Sequence, residues 1–411
     1  MSGELSRRDL LRLGATAVGA AALSACVPGG AAESRRPASP VATAVNGADF
    51  RVGVILPTSG TYADLGDSIR KGLKLYLDRA GGQAGDRRIV VVDRDEPAGD
   101  PSGAVAAARG LVERDGATLL AGIVSSPNAL AVRGYADERR VPTLIAHAGA
   151  DALSRGQASP FVYRTSYSEW QLGQPFGRYL ADSGVTRLAL VYSNYSAGLE
   201  MASAIKEGYT GQVLTEVRPP FPNPDGDFAA HLTQVNNTRP QAAYVFLWGR
   251  DAVAFLKQAR TELNPGIWLT GCGYLAEPDV LAALGDAAPV GALTGLHWAL
   301  ALDTAENRRF SADFSRAFGR TADVYAVQGY DTARVIVEAL QAIGGRTDDR
   351  VAFMKAISEV RFKSPRGDFR FDPNSNNVVN TIYVRQVAGD PKAGYANRVV
   401  GSLANVVDPG R

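Results

Sequence analysis

Leu119-Leu-Ala-Gly-Ile-Val-Ser-Ser-Pro-Asn128 and Val141-Pro-Thr-Leu-Ile-Ala-His-Ala-Gly149 are the two stretches that decide the fold. Each begins with an apolar run of strand length and ends in short polar residues. Between the two runs, Ser125-Ser126 followed by Pro127 is typical of a helix start, with a capping residue and a first-turn proline. The pattern predicts a βαβ unit whose two strands are parallel neighbours.

The ends of these strands predict one wall of a small-molecule site. Ligands of open α/β sheets bind beyond the carboxyl ends of the strands, where the first N–H groups of a helix can hold an anion. The residues expected there are Ser125, Ser126, Asn128, His147, Ala148 and Gly149. A purely structural interpretation is equally open, in which Ser126 only caps a helix and Gly149 only turns the chain.

Strand and helix patterns alternate on both sides of this unit. Before it come a strand over Phe50 to Pro57, a helix over Asp67 to Ala80, a strand over Arg88 to Asp93 and a helix over Pro101 to Asp115. A second series follows Phe161-Val-Tyr-Arg164, from the helix at Glu169 to the strand ending at Thr270. The alternation predicts an α/β fold of two doubly wound parallel-sheet lobes with a cleft between them.

The N-terminus has the features of an export signal. Ser6-Arg7-Arg8-Asp9-Leu10-Leu11-Arg12 matches the twin-arginine pattern, Leu13 to Ala22 is a short apolar segment, and Leu23-Ser24-Ala25-Cys26 resembles a bacterial lipobox. The signal would be cleaved before Cys26, whose thiol would carry a lipid. Residues 27 to 48 are rich in Pro, Gly, Ala and Ser, which is typical of a flexible tether.

Composition excludes several classes of function. The 411 residues are 45% hydrophobic and 21% charged, as in a soluble globular protein, and the net charge of +2 comes without any basic block. Nucleic-acid binding therefore has no electrostatic basis. Cys26 and Cys272 are the only cysteines in the sequence, so a lipidated Cys26 leaves one free thiol and no intramolecular disulfide.

The sequence carries no convincing motif for catalysis, cofactor or metal. Gly271-Cys-Gly-Tyr-Leu-Ala276 formally matches the dinucleotide fingerprint G-x-G-x-x-A, but Pro278 interrupts the helix that should open there. The three histidines, His147, His231 and His297, show no metal-ligand spacing, and no G-x-S-x-G elbow is present. A hydrolase with Cys272 as nucleophile is a remote alternative. We expect a binding protein without cofactor, metal or catalytic residues.

A resemblance to a known family spans about Phe50 to Val387. The chain resembles the branched-chain amino acid binding proteins of ABC importers, which have the type I periplasmic binding-protein fold. The matching pieces are, in order, Val54-Ile-Leu-Pro-Thr-Ser-Gly60, Gly66, Lys71-Gly72, Asp93, Asp100-Pro101, Gly122-Ile-Val-Ser-Ser126, Val141-Pro142, Phe161-Val-Tyr-Arg-Thr165, Asp227-Phe228, Gln258-Ala-Arg260, Tyr330-Asp331 and Gly367-Asp-Phe-Arg-Phe-Asp372.

The family's three-segment hinge implies discontinuous lobes. The crossings are expected near Thr165 to Tyr167, Leu296 to Trp298 and Ser364 to Gly367. The resulting division is a signal peptide at 1–25, a lipid anchor and tether at 26–48, lobe 1 at 49–166 and 297–364, lobe 2 at 167–296 and 365–400, and a C-terminal tail at 401–411.

The resemblance also implies further ligand contacts. A ligand carboxylate would be held at Ser125-Ser126 and at the loop His147-Ala148-Gly149, where a threonine often found in the family is replaced by Gly149. The other expected cleft residues are Tyr62 and Leu65 after the first strand, Tyr195 and Trp248 on the second lobe, Cys272, Trp298 and Tyr325. Trp248 and Trp298 could equally be core or rim residues, and Tyr195 could be a loop tyrosine packed on its own lobe.

Cys272 is the informative departure from the family. Amino-acid binders have an acidic residue near this place to pair with the α-ammonium, and a buried ammonium without a counter-charge is costly. We therefore expect free α-amino acids to bind poorly and an apolar or aromatic carboxylate, or an uncharged molecule, to fit better. Glu277 or Asp331 could supply the charge instead.

The predicted function is that of an extracytoplasmic, lipid-anchored solute-binding protein of an ABC importer. Its partners would be a small-molecule solute, the permease and ATPase subunits, and the membrane through Cys26. It would perform no reaction. The alternative is a sensor or regulator of the same fold that reports the ligand to a signalling partner, because fold alone does not choose between these roles.

Overall fold

The computed structural model describes residues 47–390, 392 and 394–410, and these form two sheets flanked by helices. The first sheet has six strands in the order β2-β3-β1-β4-β5-β6. Its strands are β1 Phe50–Leu56, β2 Gln83–Ala84, β3 Arg87–Asp95, β4 Leu119–Gly122, β5 Thr143–Ile145 and β6 Val162–Arg164. All neighbouring pairs are parallel except β2 with β3.

The second sheet has seven strands in the order β15-β14-β11-β10-β9-β7-β8. Its strands are β7 Arg187–Tyr192, β8 Gln212–Val217, β9 Ala242–Phe246, β10 Trp268–Cys272, β11 Leu293–Leu296, β14 Asn380–Asp390 and β15 Gly394–Val406. The first five are parallel, and β14 and β15 are added antiparallel at one edge. Two parallel-dominated sheets confirm the predicted α/β fold.

Eleven helices within the described residues cover the sheets. They are α1 Ala63–Arg79, α2 Pro101–Glu113, α3 Ser126–Arg139, α4 Glu169–Asp182, α5 Ser196–Gly208, α6 Ala229–Thr238, α7 Gly249–Glu262, α8 Pro278–Leu284, α9 Ala305–Phe318, α10 Val324–Ala342 and α11 Arg350–Glu359. Lobe 1 is the first sheet with α1–α3 and α9–α11, and lobe 2 is the second sheet with α4–α8. The late helices join lobe 1 because α10 packs along α1.

The chain passes between the lobes three times. It crosses after β6, after β11, and after a hairpin formed by β12 Arg361–Ser364 and β13 Gly367–Arg370. The hairpin packs on lobe 1, where Arg334 of α10 lies 4.2 Å from the ring centroid of Phe362. The third crossing therefore follows the hairpin, later than the expected Ser364 to Gly367.

Buried polar contacts fix the hinge. The Arg366 guanidinium donates to Asp331 Oδ2 at 2.8 Å and to the Ser166 carbonyl at 2.9 Å. The Gln171 side chain donates to the Val378 carbonyl at 2.9 Å. These bonds link the crossing segments after β6 and after the hairpin to each other and to both lobes.

The C-terminal end of the chain differs from the sequence expectation, whereas the N-terminal expectations cannot be compared with the structure. The segment 401–411, expected as a tail, contributes residues 401–406 to β15, because these residues pair with β14 and complete the sheet edge. The export signal, the lipidated Cys26 and most of the tether lie outside the described residues. None of the helices in the described part is long and apolar enough to cross a membrane.

Candidate functional site

A small cavity of about 30 Å³ lies between the lobes at the carboxyl ends of their parallel strands. Lobe 1 contributes Tyr62, Leu65, Val124, Ser125, Ser126, His147, Gly149 and Tyr325, and lobe 2, with the first crossing, contributes Tyr167, Glu169, Tyr195, Ala197, Phe246, Trp248 and Tyr274. Nine of the predicted site residues are thus brought together around one space.

The serine wall is built by the end of β4 and the start of α3. Ser125 occupies the N-cap of α3 in extended conformation, and Ser126 opens the helix before Pro127. The backbone of Ile123 just before them has a φ of 67°, which is unusual for a β-branched residue. Such strain is found mainly where surrounding structure enforces a functional geometry.

Glu96 changes the electrostatics expected of this wall. Its buried carboxyl accepts the N–H groups of Val124 at 2.7 Å and Ser125 at 2.8 Å, and the Asn128 side chain at 3.0 Å. Burial raises the pKa of Glu96 to about 7, against the lowering effect of these donors. Glu96 therefore already binds the two backbone N–H groups just before α3. Asn128 donates to Glu96 and does not line the cavity. Both serines still line the space.

His147 enters the cavity as a neutral donor or acceptor. Its Nδ1 lies 2.9 Å from Gln328 Oε1, and Gln328 Nε2 lies 3.2 Å from His297 Nε2. Burial lowers the pKa of His147 to about 4, so the ring is uncharged at neutral pH. Ala148, predicted beside it, instead lies in the apolar core behind the sheet.

Gly149 leaves room for the side chains of lobe 2. A Cβ at this position would lie 2.6 Å from Glu169 Oε1 and 2.7 Å from Tyr167 Cε2, both closer than real contacts allow. Glu169 begins α4, and its N–H donates to the Gly149 carbonyl at 2.9 Å. A carboxyl group from the other side of the cleft thus occupies the space beside Gly149.

Glu169 is a buried carboxyl without a compensating partner. It is 1% exposed, and its Oε2 has no hydrogen-bond partner among the described residues. Burial raises its pKa well above the ordinary value, and the nearby carboxyls of Glu200 and Asp151 raise it further against the effect of Arg164. The raised pKa favours the protonated form of the carboxyl, and that form can donate a hydrogen bond.

Aromatic rings form the rest of the walls. On lobe 2, Phe221 lies 4.9 Å from Tyr195 and 4.7 Å from Trp248, measured between centroids. Tyr274 stacks on Tyr325 of lobe 1 at 5.6 Å with an interplanar angle of 6°, so this pair closes the cavity from both lobes. Trp248 Nε1 is buried without a partner among the described residues, so a ligand acceptor would satisfy it.

Besides Asn128 and Ala148, two further residues expected in the cleft lie outside the cavity. Cys272 ends β10 with its side chain buried at 1% exposure, and burial raises the pKa of its thiol. A one-turn helix over Gly273–Ala276 follows, and it brings Tyr274 to the cavity instead. Trp298 is fully buried, and its Nε1 donates to Asn307 Oδ1 at 2.8 Å, which is a structural role.

The two carboxylates suggested as alternative partners for a ligand ammonium, Glu277 and Asp331, form ion pairs outside the cavity. Glu277 pairs with Arg385 at 2.7 Å and Asp331 pairs with Arg366 at 2.8 Å, both buried and away from the cavity lining. In the described part of the chain, no cluster of three or more His, Cys, Asp or Glu side chains has a geometry that could hold a metal ion.

Sequence reasoning missed Glu96, Tyr167, Glu169, Phe246 and Tyr274. Glu96 follows β3, so the strand-end rule could have indicated it. Glu169 comes just after the first predicted crossing and opens a helix behind Ser168, which caps it. Tyr274 gave no local signal, because its place depends on the turn after β10.

Comparison with known proteins agrees with this architecture. The family model described as periplasmic binding protein matches residues 49–394. The Leu/Ile/Val-binding protein homolog 6 of Brucella melitensis is 32% identical over 368 residues, which cover 88% of this chain and 93% of that protein.

Two solved structures from Rhodopseudomonas palustris add to this comparison. An ABC transporter solute-binding protein of R. palustris in complex with benzoate has a TM-score of 0.80 and 34% identity, covering 87% of this chain and 97% of that one. A solute-binding protein of strain BisB5 in complex with 3,4-dihydroxybenzoic acid has a TM-score of 0.80 and 30% identity, covering 88% and 99%. The chain therefore belongs to the periplasmic binding protein family and has its type I fold.

Proposed function

We propose that this protein is the extracytoplasmic solute-binding component of an ABC importer, and that its solute is an aromatic carboxylate of the benzoate class. The relatives with benzoate and 3,4-dihydroxybenzoic acid support this class. The observation that carries the proposal is the cavity itself, in which aromatic side chains surround a small group of neutral hydrogen-bond donors. An aromatic ring would stack between Tyr274, Tyr325 and the Tyr195–Trp248 wall, and offset or edge contacts of this kind add to the burial of apolar area.

The carboxylate would be bound by neutral donors, because no lysine or arginine is among the described residues that line the cavity. The hydroxyls of Ser125 and Ser126 supply two donors on lobe 1. The protonated carboxyl of Glu169 supplies a third from lobe 2, in the space that Gly149 leaves free. A ligand held this way bridges both lobes and therefore favours the closed form.

The same groups would disfavour free α-amino acids. Glu169 supplies the one carboxyl group among the described lining residues, and its neutral form gives an α-ammonium no counter-charge. Burying an unpaired ammonium costs several kcal/mol. Discrimination against free α-amino acids, which the sequence analysis explained by Cys272, therefore depends on the protonation of Glu169.

Export by the twin-arginine route, lipidation of Cys26 and delivery of the solute to a permease complete the proposed function. These steps follow from the sequence of the first 26 residues and from the family. Radiolabelled palmitate incorporation that is abolished by Cys26→Ser tests the lipid anchor.

Isothermal titration of the purified protein tests the ligand class. We expect benzoate, 4-hydroxybenzoate and 3,4-dihydroxybenzoate to bind at least a hundredfold more tightly than L-leucine. Micromolar binding of L-leucine with no binding of any aromatic acid would contradict the proposal. Ser126→Ala, which removes one hydroxyl donor, should weaken benzoate binding by about 0.5–1.5 kcal/mol, and the same change at the exposed Ser102 serves as the control.

A further inference from the structure

A buried hydrogen bond joins the two lobes away from the cavity. Glu277 lies on lobe 2, directly after the turn that positions Tyr274, and Val324 is the first residue of α10 on lobe 1. Glu277 Oε2 accepts the backbone N–H of Val324 at 3.0 Å. Both residues are at most 1% exposed, and neither lines the cavity.

Lobe 2 holds the Glu277 carboxylate in a fixed direction. Arg385 of β14 donates to its other oxygen at 2.7 Å, and the same guanidinium binds the carbonyls of Gly273 at 2.6 Å and Trp298 at 3.2 Å. The arginine is itself 1% exposed. One carboxylate oxygen is thus anchored within lobe 2 while the second is directed at the opposite lobe.

The receiving group is the N-terminus of a long helix. The N–H groups at such an end lack intrahelical partners and carry partial positive charge, so they bind a carboxylate favourably. The helix has its own cap within lobe 1, because Asp323 accepts the N–H of Ala326 at 2.8 Å and the hydroxyl of Ser68 at 2.5 Å. Helix α10 therefore does not need Glu277 in order to form.

We propose that Glu277 is a closure latch, a positioning residue whose carboxylate binds the N-terminus of α10 in the closed form. Tyr325 follows Val324 directly and stacks on Tyr274, so the latch also brings the two aromatic rings of the cavity wall together. The latch stabilises closure without touching the ligand, and it slows ligand release. This inference rests on the proposed solute-binding function but is independent of the ligand's identity.

Val324→Pro tests the latch because it removes the donor N–H and leaves the Glu277–Arg385 pair intact. Proline is tolerated at the first helical position, and Asp323 before it has the extended conformation (ψ 176°) that proline requires. Val324→Ala is the matched control, since it keeps the N–H while losing side-chain packing. Ala305→Pro at the first position of α9 controls for proline at a capped helix of the same lobe.

Lobe separation is measured by double electron–electron resonance between spin labels at Lys74→Cys on α1 and Lys257→Cys on α7, in a Cys26→Ser background. Both lysines are exposed and the native Cys272 is buried. We expect Val324→Pro to shift the distances of the ligand-free protein toward longer values. With benzoate as probe, we expect dissociation, followed by tryptophan fluorescence, to become about tenfold faster, as for the loss of one charge-assisted hydrogen bond.

Distances and dissociation rates equal to those of Val324→Ala would overturn the latch. If the wild-type protein does not bind benzoate, the proposed ligand class fails, and the ligand-free distances alone decide on the latch. If circular dichroism shows that Val324→Pro does not fold, Glu277→Gln replaces it. That variant neutralises the carboxylate at nearly constant volume, and the same shift toward longer distances is expected.

Discussion

The protonation of Glu169 makes a quantitative prediction about ligand binding. Its carboxyl is buried, and the carboxyls of Glu200 and Asp151 near it raise its pKa further. A neutral Glu169 should therefore be replaceable by an uncharged amide. We expect Glu169→Gln to bind benzoate within a few-fold of the wild-type protein, whereas Glu169→Ala, which loses the donor, binds at least tenfold more weakly.

The sign of the pH dependence follows from the direction of the shift. A carboxyl whose pKa is raised on closure takes up a proton when the ligand binds, so that affinity is greatest on the acid side and falls as pH rises through the raised pKa. One pKa unit corresponds to about 1.4 kcal/mol, so affinity should fall by up to about tenfold per pH unit. The fall in affinity therefore lies above the ordinary carboxyl pKa of 4.5.

Titration calorimetry in buffers of different ionisation enthalpy measures the proton uptake directly. The wild-type protein should take up as much as one proton per benzoate, and Glu169→Gln should take up clearly less. Asp251 is the matched control, because burial raises its pKa but it does not line the cavity. Asp251→Asn should retain most of the uptake that is lost in Glu169→Gln.

Three results would refute the reasoning about Glu169. The first is benzoate affinity that does not fall as the pH is raised from 4.5 to the highest pH at which the protein stays folded. The second is loss of benzoate binding in Glu169→Gln equal to that in Glu169→Ala. The third is a gain of L-leucine affinity as pH rises, which would show that an ionised Glu169 pairs with an ammonium group.

Further predictions concern other residues of the cleft. Gly149→Ala should weaken benzoate binding at least tenfold and lower the free energy of unfolding by about 1–3 kcal/mol, because its Cβ would press on Glu169 and Tyr167. Calorimetry measures the affinity and thermal melts measure the stability. Wild-type affinity in the variant would contradict the prediction. Trp248→Phe should reduce benzoate affinity by about 0.5–1.5 kcal/mol through loss of the unpartnered Nε1–H donor, and unchanged affinity in titrations would show that the ligand does not use it. Cys272 should resist iodoacetamide at pH 8 in the native protein and react once the protein is unfolded, because burial raises the pKa of its thiol. Rapid labelling of Cys272 in the native protein, detected by mass spectrometry, would contradict this prediction.

The sequence was sufficient for the fold because its determinants are local. The apolar runs Leu119 to Val124 and Val141 to Ala146 and the helix start between them specify a βαβ unit within 30 residues or so of chain. The carboxyl ends of parallel strands share one sheet edge, so the strand-end rule placed Ser125, Ser126 and His147 together before any coordinates were known. The comparisons confirm the family that the ordered motifs indicated.

The tertiary structure alone decided which groups meet across the cleft. Glu169 occupies the space beside Gly149, and Glu277 reaches the start of α10, because of how the two lobes close on each other. Neither contact has a periodicity or spacing that a single sequence reveals. Cys272 and Tyr274 show the same limit over a short distance. Cys272 is buried in the core, whereas Tyr274, two positions later and in the short turn, lines the cavity. Secondary structure follows from neighbours along the chain, whereas the charge and hydrogen bonding of the site follow from burial and from residues far apart in sequence, which only the folded chain brings together.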